Sequence, residues 1–245
     1  MDNVEHNFFF WDGNFDWSGA GEEWSLMWGG SRAQWFGSLF PRISPFLPAH
    51  SILEIAPGFG RWTRFLLPAC DRFQGVDLST ECVNACKDRF GSLQKASFFK
   101  NDGKSLSCAD DGSVDFLFSF DSLVHATMDI LEAYVPEILR VLSPQGASFI
   151  HHSNWLEAGG GFSNDHGRAV DVSAGEVGKL IQQHGGRVLI QEKIDWGFSE
   201  CTDCLTLFSR AGAFVQHAPL MIENHSFMLE GKIIGEFQSP YSRLR

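Results

Sequence analysis

The stretch Ser51–Phe65, SILEIAPGFGRWTRF, constrains the fold of this chain more than any other segment. Residues 51–56 are mostly apolar, which predicts a short buried strand. Pro57–Gly60 predicts a tight turn, and the residues from Arg61 onward predict the start of a helix. A strand, a glycine turn and a helix N-terminus together place backbone N–H groups beside a ligand. The segment therefore predicts a ligand-binding loop in an α/β fold.

The rest of the chain alternates between strand and helix patterns. We predict strands at 51–56, 72–77, 96–100, 114–119, 146–152, 186–194 and 203–210. We predict helices at about 60–68, 79–90, 128–142 and 173–184. This alternation is typical of a Rossmann-like, mostly parallel sheet with helices on both faces. Because no helix separates the last two strands, we expect a seven-stranded sheet with an antiparallel last strand.

Residues 1–48 are unusually rich in aromatic side chains, and we interpret them as an aromatic N-terminal arm. Trp24, Trp28 and Trp35 have the spacing of one helical face. We expect the arm to pack on the main domain and to cover part of a ligand pocket, where large rigid rings exclude water. The main domain then spans 49–210, and 211–245 forms a C-terminal tail or hairpin.

Composition limits the classes of partner and location. A formal net charge of −11 argues against nucleic acid, because binding phosphates requires a basic face. No apolar run has the length of a membrane span, and the N-terminus lacks a basic-then-apolar signal, so we expect a cytoplasmic protein. The six cysteines suggest no disulfide framework. The motif Cys201-x-x-Cys204 lacks a second pair that would complete a zinc site, so we interpret these cysteines as buried or half-buried thiols.

Four motifs follow four of the predicted strands. They are Glu54-x-x-x-Gly58-x-Gly60, Asp77 after Gly75-Val76, Asn101-Asp102-Gly103, and the segment from Phe116 to His125. An acidic residue at the end of the second strand can accept hydrogen bonds from both ribose hydroxyls of a nucleoside. All four motifs fall at the carboxyl ends of parallel strands, where open α/β sheets bind their ligands.

With these motifs in this order, the chain resembles the class I S-adenosylmethionine-dependent methyltransferases over about residues 50–155. The resemblance implies S-adenosyl-L-methionine as the cofactor, with the glycine loop at its methionine end, Asp77 at its ribose and the Asp102 position near its adenine. In the glycine motif of that family, the first glycine is replaced in this chain by Ala56, which is a small change in side-chain size. The cofactor residues implied are Glu54, Ala56, Gly58, Gly60, Asp77, Leu78, Asn101, Asp102, Gly103 and Phe120.

Two other functions remain open. A nicotinamide-dependent oxidoreductase of the same fold class would need a small residue where Thr63 stands, and a helix N-terminus free of bulky groups such as Trp62. A non-catalytic regulatory module could retain the cofactor site, although the polar residues at the strand ends argue against it.

Methyl transfer to oxygen requires a base, because an alcohol is a poor nucleophile until its proton leaves. Asp121, His125 and His152 lie just past the ends of neighbouring predicted strands, and we expect them to converge on the methyl group. His125 is the first candidate for the base and His152 the second, with Asp121 orienting a histidine or holding a metal. A divalent metal is possible but not favoured, because the sequence shows no compact ligand spacing.

A narrower resemblance concerns the acceptor. The tryptophan-rich arm, PRIxxFLP at 41–48, GFGRWT, SFDSLVH and HHSN are together similar to methyltransferases associated with O-antigen and other surface-polysaccharide synthesis. This resemblance implies a small-molecule or glycan-linked hydroxyl as the acceptor. N-methylation of a small molecule is the alternative, and the sequence does not indicate an oligomeric state.

Overall fold

The computed structural model describes residues 3–159, 164, 167–197, 199–214 and 218–237. The α-helices are α1 Asn3–Trp11, α2 Glu23–Leu26, α3 Ser31–Gln34, α4 Phe40–Ile43, α5 Thr63–Leu66, α6 Thr80–Phe90, α7 Met128–Val141, α8 Trp155–Ala158, α9 Ala174–Gln183 and α10 Phe227–Phe237. The strands are β1 Ala49–Ile55, β2 Cys70–Asp77, β3 Ala96–Lys100, β4 Val114–Ser119, β5 Leu142–Ser153, β6 Gly186–Trp196, β7 Ser199–Arg210 and β8 Leu220–Asn224. A π-helical turn, Trp35–Leu39, joins α3 to α4.

The strands of the described chain form one sheet in the order β3-β2-β1-β4-β5-β7-β6-β8. The first five strands in that order are parallel, and β7 lies antiparallel between β5 and β6. The alternating pattern therefore predicted a mostly parallel sheet with an antiparallel strand pair correctly. The described sheet has eight strands instead of seven, because residues 220–224 pair in parallel with β6. A short strand with no helix before it has no clear signal in the sequence.

Two apolar layers cover the two faces of the sheet. Alternation along β1 sends Ile52 and Leu53 to opposite faces, and both are fully buried. Leu53 belongs to the layer formed with α7 and α9, whereas Ile52 belongs to the layer formed with α6, α10 and the segment around Trp35. The N-terminal segment thus contributes Trp35, Leu39 and Ile43 to the core.

The aromatic segment does not form the single helical face that its spacing predicted. Helix α2 ends at Leu26, and Gly29 and Gly30, with φ values of +92° and +84°, separate it from α3, which begins at Ser31. A Cβ on Gly29 would lie 2.7 Å from the carbonyl oxygen of Gly231 in α10, so the close approach of these two segments requires glycine. Trp24 and Trp35 consequently face different surroundings.

The strand order reverses beside β1, since β2 follows it on one side and β4 lies on the other. In open α/β sheets the crevice outside such a point binds ligands. No helix among the described residues is long and apolar enough to cross a membrane.

Candidate active site

A cavity of about 620 Å³ lies outside the carboxyl ends of β1, β2 and β4, in the size range of ligand pockets. One wall consists of the loops that follow these strands. The opposite wall consists of the N-terminal arm, through Asn3, Val4, Trp11, Trp17 and Trp24 among others. The four sequence motifs and the aromatic arm therefore meet at one site.

The glycine loop owes its shape to three residues with positive φ: Ala56 at +54°, Gly58 at +56° and Gly60 at +82°. Ala56 thus occupies a left-handed conformation, which costs an L-residue roughly 1–2 kcal/mol. Ala56 and Gly58 line the cavity. Gly60 does not, and its role is steric, because a Cβ there would lie 2.4 Å from the ring of Phe90.

Glu54 lies beneath the loop and does not line the cavity. Its carboxyl is 1% exposed and accepts a hydrogen bond from Thr63 Oγ1 at 2.5 Å. Burial, helped by the charge of Asp77, raises the pKa of Glu54 to about 8, although the Thr63 bond opposes the shift. Glu54 therefore joins the end of β1 to the first turn of α5 and stands behind the loop.

Asp77 ends β2 and lines the cavity. Its carboxylate accepts hydrogen bonds from the backbone N–H groups of Gly58, at 3.0 Å, and Ser79, at 2.9 Å. Burial nevertheless raises the pKa of Asp77 to about 6, and the nearby charge of Asp12 adds to the effect. A hydroxyl donor from a ligand would favour the ionised form.

The Asn101-Asp102-Gly103 motif divides between the cavity and the surface. Asn101 and Gly103 line the cavity, and Asn101 Nδ2 donates to Tyr134 Oη at 2.8 Å. The Asp102 carboxylate is absent from the cavity wall and accepts from the backbone N–H groups of Lys104 and Ser105 at 2.9 and 2.7 Å. Asp102 thus shapes the turn, while Leu78 and Phe120 complete this wall.

Asp121 lies between two buried guanidinium groups at the edge of the cavity. Its Oδ2 is 2.7 Å from Arg61 Nη2, and its Oδ1 is 3.8 Å from Arg168 Nη2. The backbone N–H of Asp121, whose φ is +62°, donates to His151 Nδ1 at 3.1 Å. Because two cations already surround this carboxylate, the charges do not favour a metal ion at Asp121.

The same network continues into the sheet through Asp203. This carboxylate is fully buried, 2.8 Å from Arg168 Nη2 and 2.9 Å from His151 Nε2. Burial alone would raise the pKa of Asp203, but the Arg168 charge and the His151 bond hold it well below its usual range. Since His151 Nδ1 accepts from Asp121, its Nε2 is the nitrogen that donates to Asp203. The network thereby fixes the position of Asp121.

His125 lines the cavity beside the arm, with its ring 5.6 Å from that of Trp11. Its Nδ1 is 2.9 Å from the carbonyl oxygen of Gly167, which can only accept, so Nδ1 carries the proton. Burial lowers the pKa of His125 to about 4, and the Arg168 charge contributes to the shift. The ring is therefore neutral at pH 7, with Nε2 as its basic nitrogen.

His152 does not line the cavity, and the expectation that it would converge with Asp121 and His125 is not met. Side chains alternate along β5, so His151 stacks on Phe120 and His152 turns to the opposite face. There His152 is fully buried, with Nδ1 2.8 Å from Ser153 O and Nε2 2.7 Å from Thr206 Oγ1. Burial lowers its pKa to about 4. Its contacts indicate a structural role.

Two cavity-lining groups have buried polar atoms without a hydrogen-bond partner among the described residues. They are both carboxylate oxygens of Glu23, on the arm, and the indole Nε1 of Trp62, in the glycine loop. A buried polar atom left unpaired costs about 1–3 kcal/mol, and more when it is charged. A polar ligand group or a bound water that reached these atoms would remove this cost.

Sequence reasoning did not select Glu23, Arg61 or Arg168 as site residues. Arg61 follows the glycine loop and was interpreted only as the start of a helix, although a buried arginine usually has a carboxylate partner. Glu23 lies among aromatic residues that carry no local motif. His166, beside Arg168 in the same loop, lies outside the described residues.

Comparisons with known proteins point to a methyltransferase domain. A family model described as a methyltransferase domain matches residues 52–146, which include the glycine loop, Asp77 and Asp121. A protein named an uncharacterized methyltransferase, from Schizosaccharomyces pombe, is 28% identical over 151 residues, which cover 56% of this chain and 48% of that protein. The chain thus spans about half the length of this curated relative.

Solved structures share the fold. The N-methyltransferase NodS from Bradyrhizobium japonicum, in complex with S-adenosyl-L-homocysteine, has a TM-score of 0.62 at 16% identity, covering 84% of this chain and 98% of NodS. An S-adenosylmethionine-dependent methyltransferase from Clostridium acetobutylicum has a TM-score of 0.59 at 15% identity, covering 73% and 92%. Residues 52–146 of the chain therefore match a methyltransferase domain, and the chain has the fold of S-adenosylmethionine-dependent methyltransferases.

Proposed function

We propose that this protein transfers the methyl group of S-adenosylmethionine to an oxygen of a small or glycan-linked acceptor bound in the cavity. The observation that carries the proposal is His125, a neutral cavity-lining imidazole whose Nδ1 proton is directed to Gly167 O. Its Nε2 is then free to accept a proton from an acceptor hydroxyl.

The residues around the cavity fit the cofactor. In this proposal Asp77 binds the ribose hydroxyls, Asn101 and Leu78 contact the adenine, and Gly58 with Phe120 contacts the methionine end; all five residues line the cavity. S-adenosylmethionine would supply an electrophilic methyl group there. The remaining task of the protein is to hold the acceptor oxygen in line with that methyl and to exclude water.

The charges near His125 do not by themselves select the acceptor. Besides burial, Arg168 lowers the pKa of His125, whereas the carboxylates of Asp121 and Asp203 raise it. A hydroxyl acceptor would pass its proton to the imidazole, whereas an alkylamine at pH 7 would arrive as an ammonium ion and would have to lose a proton before it could attack.

The unpaired groups on the cavity wall support an acceptor with several hydroxyls. Glu23 can only accept hydrogen bonds as a carboxylate, and Trp62 Nε1 can only donate one. A hydroxyl group serves both needs, and a sugar carries several of them. The arm also presents Trp11, Phe15 and Trp24, whose ring contacts form a rigid apolar wall for the less polar face of such a ligand.

The N-terminal arm is proposed to act as a lid. Asn3 Nδ2 donates to His125 O at 3.1 Å, and Asp12 Oδ1 accepts from Ser79 Oγ at 2.8 Å and from Glu81 N at 3.1 Å. The arm is thus attached both next to the proposed base and next to Asp77. Closing it excludes water from the methyl-transfer step.

The test combines cofactor binding with a panel of acceptors. Calorimetry should show that the protein binds S-adenosylhomocysteine and does not bind NAD. Transfer of a labelled methyl group should then be measured with nucleotide sugars, methyl glycosides and matched amino sugars as acceptors. His125→Asn should lower kcat on a hydroxyl acceptor by about a hundredfold or more, with cofactor affinity unchanged. His184→Gln, at an exposed histidine after α9, is the matched control.

Several outcomes would contradict the proposal. Methylation of the amino sugars at nitrogen, with the hydroxyl compounds inert, would make the enzyme an N-methyltransferase. Full activity of His125→Asn would exclude this residue as the base. NAD binding without S-adenosylhomocysteine binding would point to an oxidoreductase, and cofactor binding without turnover of any acceptor would point to a regulatory module.

A further inference from the structure

A group of three potential metal ligands lies outside the cavity, at the tip of the β6–β7 hairpin. Asp195 comes from the end of β6, Cys201 from the start of β7, and His225 from the turn between β8 and α10. One donor atom from each residue lies within 4.8 Å of the other two, and Asp195 Oδ1 is 3.0 Å from His225 Nδ1. Donors around a tetrahedral zinc ion lie about 3.3–3.7 Å apart, so small side-chain movements would complete the geometry.

The backbone of the hairpin brings Asp195 and Cys201 together. Ile194 pairs with Asp203 and Trp196 with Ser199, so the single residue Asp195 faces three residues of β7. Such bulges bend a strand and re-aim its side chains. Cys201 has a φ of +49°, and its N–H donates to Asp195 Oδ1 at 2.8 Å. The two donor side chains therefore share one side of the hairpin, next to His225.

The charges around Cys201 are unfavourable for a thiolate without a cation. The carboxylates of Asp195 and Glu223 both lie near the Cys201 thiol. The nearby ammonium of Lys193 is already 2.7 Å from Glu157 and 3.4 Å from Glu223. A divalent cation would balance the charges of a carboxylate and a thiolate together.

The identity of the donors selects the metal. A thiolate, an imidazole and a carboxylate are ligands of zinc, whereas magnesium and calcium prefer oxygen alone. Three protein ligands leave the fourth tetrahedral position to water. A second histidine–aspartate pair, His50 and Asp71, also has a 3.0 Å separation, but it is over three-quarters exposed and belongs to no such three-ligand group among the described residues. It provides an internal comparison.

We propose that Asp195, Cys201 and His225 form a zinc site that fastens the β6–β7 hairpin to the segment joining β8 and α10. The position of the site gives it a structural consequence for the cavity. Trp196 and Gly197, the two residues after Asp195, line the cavity, and the Trp196 ring lies 4.9 Å from the Arg168 guanidinium. Zinc would hold this part of the cavity wall in place from outside. The proposal does not depend on the acceptor or on the methyl-transfer reaction.

The test uses the tag-free, full-length protein, treated with a chelator and kept reduced with a phosphine. Calorimetric titration with zinc chloride should show one saturable site. The zinc affinity should be at least about tenfold lower in each of the ligand variants Cys201→Ser, Asp195→Asn and His225→Gln. Even the loss of a residue that only hydrogen-bonds to a metal ligand lowers metal affinity by that factor. His50→Gln should bind zinc as the wild type does. Circular dichroism checks that every variant is folded.

Cobalt provides the spectroscopic readout. Titration of the wild type with Co²⁺ should produce a thiolate-to-cobalt charge-transfer absorption. The Cys201→Ser variant should lack this absorption. The control variant Cys108→Ser, which changes a half-buried thiol elsewhere in the protein, should retain it. Zinc should also raise the melting temperature of the wild type and not that of Cys201→Ser. Absence of a saturable zinc site, or equal zinc affinity in the wild type and Cys201→Ser, would overturn the proposal.

Discussion

Replacing Asp121 with asparagine should measure how strongly the charged network holds the cavity edge. The change removes the negative charge between Arg61 and Arg168, whose side chains are 7% and 5% exposed. Arg61 would keep one hydrogen bond, from Nη1 to Ser25 Oγ at 3.1 Å, and its position over the rings of Trp24 and Trp62. Asparagine tolerates positive φ, so the +62° conformation does not add strain.

The magnitude follows from these contacts. Removing one partner of a buried ion pair costs about 3–5 kcal/mol. The remaining cation–π contacts and the asparagine side-chain oxygen, which can still accept a bond from Arg61, offset part of this loss. A retained neutral hydrogen bond is worth about 1 kcal/mol. Subtracting it from the cost of breaking the buried pair, we expect the free energy of unfolding to fall by about 2–4 kcal/mol. Urea unfolding followed by circular dichroism, with an unchanged m value, gives the number.

The control is Asp111→Asn, which breaks an ion pair of similar length on the surface. Asp111 Oδ1 is 2.6 Å from Arg140 Nη1, but its side chain is 80% exposed, so the loss should be about 0–1 kcal/mol. Adding Arg61→Met to Asp121→Asn should recover stability, because the uncompensated buried charge is then gone. Equal losses for Asp121→Asn and Asp111→Asn, or a further loss in the double variant, would refute the reasoning.

Three further predictions concern single groups at the cavity. At saturating S-adenosylmethionine, the acidic limb of the pH profile of kcat should lie near pH 4, because His125 stays neutral above its lowered pKa; a limb near pH 6.5 would contradict that burial effect. The affinity for S-adenosylhomocysteine should be constant above pH 7. Below about pH 6, where Asp77 protonates, it should decrease with a slope that approaches tenfold per pH unit, and Asp77→Asn should remove this pH dependence. Glu23→Met should stabilise the ligand-free protein by about 1–3 kcal/mol while lowering acceptor turnover, since it removes an unpaired carboxylate. Glu22→Met, which breaks bonds to Ser31 and Arg64, should destabilise it, and a loss of stability in both variants would contradict this account.

The parallel part of the fold could be predicted because its signals are local. Each buried strand is a short apolar run, and the turn after β1 needs glycine for its positive φ values, so β1 and the loop stand out in the sequence. The arm was harder to predict. Its tryptophans have helical spacing, but Gly29 and Gly30 interrupt the helix because Gly29 approaches α10 closely. That contact joins residues about 200 positions apart, and no local pattern records it.

Dependence on contacts between distant residues also explains which site residues could be predicted from the sequence. Asp77 and Asn101 follow strands directly, so the topology alone brings them to the cavity. The two histidines of β5 differ only by one position, and the side that each faces depends on where the strand ends. A strand ending at 151 would free His152 for the cavity, but β5 continues through Ser153 because β7 pairs with it as far as Asp203. Pairing with a strand some 50 residues later therefore decides that His151 joins the charged network and that His152 is buried on the other face.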